Sequence, residues 1–230
     1  MAAGRSFSLP RVIFHATSVV VMTYGYESLA GLTVFDKWIS EQYGGHFQFL
    51  TIQGLGLAWL AMLISLVLGV FPSLSALRLL KRALLIIALP LSTVISSIYW
   101  TLITAFPHLI LQAGATESVP SSSSDSPSLF RIPLSVDLAL HASPAIALLI
   151  DFIFLEKKYR KKGVLLGGPL SLSLFALWYG WWVEHCAKYN NNIFPYPFLT
   201  GNPFEIRIAI YIGATAFGIL SFWMINKLHP

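Results

Sequence analysis

Charge is what this chain has least of. Asp, Glu, Lys and Arg make up 11% of its 230 residues, while 56% are hydrophobic. A soluble domain carries about 25% charged residues. The scarcity excludes an ordinary water-soluble domain and points to an integral membrane protein with lipid as its main solvent. Cysteine is almost absent too. Cys186 stands alone, which excludes an internal disulfide and a cysteine-based metal site. The six histidines are scattered, with no HxxxH or HExxH pattern on one helix. A metal hydrolase or desaturase is therefore a poor fit, and neither metal nor cofactor is expected. No GxSxG elbow and no glycine-rich phosphate loop before a helix is present. The formal charge of +5 lies in short loops rather than along one basic stripe, so no nucleic-acid partner is expected. The opening MAAGRSFSLPR has no small-residue cleavage site behind a short apolar core. It reads as a cytosolic tail leading into a first span.

What the chain has in quantity is apolar run. A helix needs roughly 20 apolar residues to cross the hydrocarbon, and about six stretches qualify. They run roughly Val12–Leu32, Phe49–Val70, Ala83–Phe106, Leu134–Leu155, Val164–Glu184 and Ile206–Ile225. The expected fold is all-α: an integral membrane bundle of about six transmembrane helices forming a single multi-pass domain over residues 1–230. Pro90 and Pro144 fall inside spans and should kink them. Arg5, Arg11, Arg78, Lys81, Arg82, Lys157, Lys158, Arg160, Lys161, Lys162 and Lys227 lie on one side of this alternation. Only Lys37, Arg131, Lys188 and Arg207 lie on the other. Positive charge marks the cytosolic side, so both termini are assigned to the cytosol. The EKKYRKK run at 156–162 reads as a topology signal with some affinity for anionic lipid.

Among the outer loops, the first carries YGGH at Tyr43–His46. The second holds SVPSSSSDSPS, and its composition predicts disorder over about 113–129. The third is rich in turn residues and aromatics, and Pro195 and Pro197 in PYPF favour an extended segment. Gly54 and Gly56 read as helix-packing positions.

Ionisable and nucleophilic groups at membrane depth are functional candidates by default. Counted at 1.5 Å per residue, Thr51 and His141 both lie roughly 3 to 10 Å below the outer interface. A threonine hydroxyl becomes a nucleophile when a base takes its proton, and histidine is the usual base near neutral pH. Asp137 lies four residues before His141 on the same helix face. It could orient the imidazole, although a carboxylate in the headgroup region is its simpler reading. Thr51 has a plain alternative as well, a hydroxyl bonded to its own helix. Glu184 and His185 read as interfacial residues beside the Trp178, Trp181 and Trp182 belt. Glu27 marks the outer end of the first span, and His15 and His108 read as snorkelling or loop residues.

Four short motifs carry a resemblance across nearly the whole chain. FLT opens the second span and LPLSTVISSIYWTL lies in the third. DLALHASP lies in the fourth, and YPFL follows the fifth. In order and spacing they resemble the family of androgen-induced and androgen-dependent TFPI-regulating proteins. The resemblance implies a multi-pass threonine hydrolase of fatty acid esters of hydroxy fatty acids, in the endoplasmic reticulum or another endomembrane. It implies Thr51 as nucleophile, from a [Tyr/Phe]-Leu-Thr context, and His141 as the essential histidine closing an Asn-His-x-x-His pattern. This chain departs from that pattern, with Asp137 and Leu138 at its first two positions. The departure and the long Ser-rich loop suggest a divergent branch of fungal type. The expected partners are a lipid ester substrate and membrane lipids. A different class of function, a non-catalytic membrane scaffold or regulator, also suits a chain of small loops without a soluble domain.

Overall fold

The computed structural model describes residues 8–111 and 131–230. The loop expected to be disordered at about 113–129 lies outside the described residues, as does Arg5. The described residues form helices joined by turns and short irregular segments, with no strand among them. α1 (Leu9–Glu27) starts with Pro10 in its first turn, where a missing N–H costs nothing. α2 (Thr33–Ser40) is a short surface helix. α3 (Leu50–Val70) and α4 (Ser75–Ala105) follow, then α5 (Leu134–His141) and α6 (Ser143–Ile150). α6 widens into a π-turn at Asp151–Leu155. Another π-turn, Gly163–Gly167, leads into α7 (Gly168–Tyr189). A single turn, α8 (Pro197–Thr200), precedes the last helix, α9 (Phe204–Leu228).

Six helical passes were expected at these places. Four helices are long and apolar enough to cross a membrane: α3, α4, α7 with its leading π-turn, and α9. A fifth crossing follows if α5 and α6, bent by 42° at Ala142, count as one span. α1 occupies the position of the expected first span, but its 19 residues include Arg11, His15 and Glu27. Four to five of the described helices thus have the length and apolarity of spans, and the more polar α1 lies where the first expected pass was placed.

α3 and α4 pack side by side at the centre. α1 covers α3, and α9 covers α4. The buried core between them mixes small and large residues: Ala58, Ala61 and Ala88 beside Met22, Met62, Leu89 and Phe152. Small residues let backbones approach, which is how helices associate where lipid tails are as apolar as any side chain. Gly54 follows this rule, because a side chain there would run into Ile95 of α4. Gly56 does not, having open space around it and an exposed surface. α7 and α9 turn Leu174, Leu177, Trp181, Ile212 and Leu220 outward, as lipid-facing helices do.

The two prolines act differently. Pro144 sits in the first turn of α6, directly after the 42° break. Its ring clashes with the carbonyl four residues back and it donates no hydrogen bond. The Ser143 hydroxyl donates to the Ala139 carbonyl at 2.7 Å, satisfying one acceptor at the break. Pro90 lies within α4, which continues through it as one 31-residue helix.

The positively charged end of the bundle departs most from expectation. His15, expected to snorkel, is buried, and its Nε2 lies 2.8 Å from Asp151 Oδ1. Lys81, expected in a loop, is a buried residue of α4. Its Nζ bridges Asp151 at 2.8 Å and Glu156 at 2.9 Å. Arg82 reaches Glu156 at 3.3 Å and lies 4.2 Å over the Tyr159 ring. Burial pushes the Tyr159 hydroxyl above its ordinary range, and it donates to the Arg82 carbonyl at 2.6 Å. The EKKYRKK run is thus partly structural, since Glu156 and Tyr159 point inward.

Candidate active site

At the opposite end, the start of α3 and the end of α5 face one cavity of about 100 Å³, lined mostly by apolar side chains. Thr51 and His141 both line it, each 8% exposed. Leu29, Phe49, Ile52, Ile110, Ile132 and Leu140 supply much of the apolar wall.

The imidazole of His141 is held on two sides. Asp137, one helical turn earlier, brings Oδ1 to 2.7 Å from Nδ1. The Asp137 carbonyl lies 3.2 Å from the same nitrogen. Tyr99 of α4 stacks on the ring face, with centroids 3.4 Å apart and planes parallel to within 1°. A carboxylate at Nδ1 fixes the hydrogen there and leaves Nε2 as the nitrogen able to accept a proton. Asp137 is itself buried, so the headgroup reading of this carboxylate gives way to the orienting one.

Thr51 sits in the first turn of α3, where backbone N–H groups have no partner within the helix. Here the Tyr196 hydroxyl supplies the partner. It accepts from the Leu50 N–H at 3.0 Å and the Thr51 N–H at 3.4 Å. Burial raises the affinity of Tyr196 for its proton above the ordinary tyrosine range, against the pull of the Thr51 and Leu50 hydrogen bonds. A protonated Tyr196 beside Thr51 is therefore a hydrogen-bond donor on the cavity wall. PYPF was expected to be extended throughout; Tyr196 is extended, but Pro197 and Phe198 open the helical turn α8, where proline fits the first position. The long reach of Tyr196 back to the start of α3 was not legible in the sequence.

His46 is a second residue that sequence reasoning missed. It lies in the turn of helix Gly45–Gln48, lines the same cavity, and places Nε2 2.6 Å from Asp36 Oδ1. Two glycines with positive φ, Gly44 at 87° and Gly45 at 47°, turn the chain into that position. A second cavity of about 90 Å³ adjoins the first and shares Thr51, Tyr99, Ile110 and Tyr196 with it. Thr51 thus stands between two largely apolar lobes.

The remaining polar candidates lie elsewhere. Glu184 accepts a forked pair of hydrogen bonds from Arg207 at 2.7 and 2.8 Å, and one from Tyr211 at 3.0 Å. His185 sits in an aromatic cluster with Trp181, Tyr43 and Tyr189. Glu27 and His108 are exposed. None of these four lines the cavity holding Thr51 and His141.

A family model described as FAR-17a/AIG1-like protein matches residues 10–230. The chain belongs to the FAR-17a/AIG1-like family. The match covers Thr51, His141 and every described helix from α1 onward except the first residue of α1. A FAR-17a/AIG1-like chain of this composition, with four to five helices long enough to span, is a membrane protein. It is similar to a UPF0641 membrane protein of Schizosaccharomyces pombe, at 28% identity over 196 residues. That similarity covers 85% of this chain and 80% of the yeast protein. A fungal relative agrees with the fungal type of branch suggested by the motifs. No solved structure matches the chain.

Proposed function

We propose that this protein is a carboxylic ester hydrolase of the endoplasmic reticulum membrane. Thr51 is its nucleophile and His141 its general base. The observation that carries the reading is the shared cavity: Thr51 and His141 come from separate helices, and Asp137 binds the Nδ1 of His141. The resemblance to androgen-induced threonine hydrolases supplies the reaction class and the compartment.

In the first half-reaction, the Thr51 hydroxyl gives its proton to His141 Nε2 as Oγ forms a bond to the ester carbonyl carbon. The Tyr196 hydroxyl, already accepting from α3, donates toward the developing oxyanion. The tetrahedral species then collapses. The bond to the alkoxide oxygen breaks, and that oxygen leaves as an alcohol with the proton from His141. In the second half, His141 takes a proton from water, whose oxygen attacks the acyl-threonine. Collapse returns the proton to Thr51 and releases the fatty acid. The two lobes on either side of Thr51 suit an ester with a chain on each side of its carbonyl group, such as a fatty acid ester of a hydroxy fatty acid.

The test is hydrolysis of such an ester by purified wild type, Thr51→Ala and His141→Ala in lipid nanodiscs. Both variants should lose at least about 10²-fold in turnover while keeping the wild-type melting temperature. Wild-type turnover in either variant would remove Thr51 and His141 from the reaction, and no turnover in the wild type would leave a non-catalytic membrane protein.

A further inference from the structure

We infer that the end of the bundle opposite the ester site holds a separate pocket for a phosphate monoester group. By the distribution of Lys and Arg this end faces the cytosol. The inference does not depend on the hydrolase reading.

The pocket is a small cavity where α1 and α4 begin and α6 ends, lined among others by Ser8, Arg11, His15, Ser65, Arg78 and Lys81. The first observation is charge. Arg11, Arg78, Lys81 and Arg82 bring four positive charges to this end, against the two carboxylates of Asp151 and Glu156. Lys81 and Arg82 are matched by those carboxylates. Arg11 has no ion-pair partner among the described residues. Among the described residues, Arg78 is held only by the Pro72 carbonyl, at 2.5 Å. Two positive charges are left over at the mouth, the charge of one phosphate dianion. The N-termini of α1 and α4 add their partial positive charge, partly offset by the end of α3.

The second observation is independent of charge. His15 is 4% exposed and lines the cavity, and its Nδ1 has no hydrogen-bond partner among the described residues. A buried polar atom left unpaired costs about 1–3 kcal/mol, so a ligand that pairs it gains that back. With Nε2 bound to Asp151, Nδ1 is an acceptor when the ring is neutral and a donor when it is charged. A phosphate monoester suits both states, because its second proton leaves near pH 6. Its P–OH can donate to the neutral ring, and its P–O⁻ can accept from the charged one. A carboxylate offers only the second match. The cavity, at about 40 Å³, is smaller than either lobe at Thr51 and is lined mainly by polar side chains, Glu156 among them, which suits a small polar group over an acyl chain.

Two sources of that chemistry reach the membrane surface: a phosphatidic-acid-type headgroup and free phosphate. The full chain in phosphatidylcholine nanodiscs separates them. Thermal unfolding is followed while phosphatidic acid replaces part of the phosphatidylcholine, and separately while inorganic phosphate is titrated. A saturable rise in melting temperature with phosphatidic acid alone assigns the pocket to a lipid headgroup, whereas a response to inorganic phosphate too shows that the free ion suffices. In either case the paired variant Arg11→Gln/Arg78→Gln should need at least about tenfold more ligand for the same rise. Lys161→Gln/Lys162→Gln, in the exposed basic loop, should behave as wild type. The inference falls if neither ligand raises the melting temperature. It falls equally if the Arg pair variant responds like wild type, or if the Lys pair variant loses as much as the Arg pair.

Discussion

Asp137 fixes one ring nitrogen of His141 and so decides what the other can do. Replacing it by asparagine keeps the shape but offers an amide where a carboxylate held the hydrogen on Nδ1 at 2.7 Å. The imidazole can then present the wrong tautomer toward Thr51. Asp137→Asn should lower ester turnover by about 10²-fold or more with little change in melting temperature. Steady-state hydrolysis beside a thermal melt measures both. Unchanged turnover would mean that Asp137 serves packing alone. At the other end of the bundle, the same kind of substitution should act on stability instead. Lys81 is buried between Asp151 and Glu156. Removing it leaves two carboxylates facing each other without their shared cation, at a cost of about 3–5 kcal/mol. Lys81→Met should therefore unfold at markedly lower denaturant in micelles, and a wild-type midpoint would show that the bridge is dispensable. Neither partnership could be read in full from the chain. The i, i+4 spacing made Asp137 and His141 neighbours on one helix. His15 and Asp151, by contrast, are 136 residues apart, and only the packing of α1 against α6 brings them together.

Helix breaks and turns aim the site's side chains. His141 is the last residue of α5, and the 42° bend after it follows from Pro144. Pro144→Ala restores a backbone N–H and removes the clash with Leu140, so the segment can straighten and swing the imidazole. Turnover should fall by about tenfold to a hundredfold, since a 1 Å misplacement of a catalytic group has costs of that order. Stability should hold or rise slightly. Rate and melt together check this, and an undiminished rate would show that the bend does not set the position of His141. Gly44 positions the other wall. Its φ of 87° suits glycine, and a methyl group there would approach Cys186 Sγ to 2.6 Å. Gly44→Ala should cost about 1–3 kcal/mol and loosen the turn that carries His46. A thermal melt at wild-type temperature would contradict that. At this scale the sequence was most legible for apolar length: α3, α4, α7 and α9 lie where their hydrophobic runs placed them. It was least legible where short elements do the positioning. YGGH and PYPF read as loops, and nothing in their local pattern shows that His46 and Tyr196 turn back to the start of α3.

The whole molecule has two unlike ends. One gathers Thr51, His141, His46 and Tyr196 around apolar lobes. The other locks Asp151 and Glu156 against Lys81, Arg82 and His15 and leaves basic charge at a small pocket. The hydrophobic middle keeps them apart. Alternating passes of the chain explain why residues remote in sequence share an end, and the family match over 10–230 spans both. The central claim is that Thr51 carries the acyl group. Its most direct test is peptide mass spectrometry on the full chain after reaction with a fluorophosphonate probe. The phosphonyl group should be found on the peptide containing Thr51, and His141→Ala should abolish the adduct without changing the fold. An adduct on another residue, or labelling that persists in Thr51→Ala, would contradict the account.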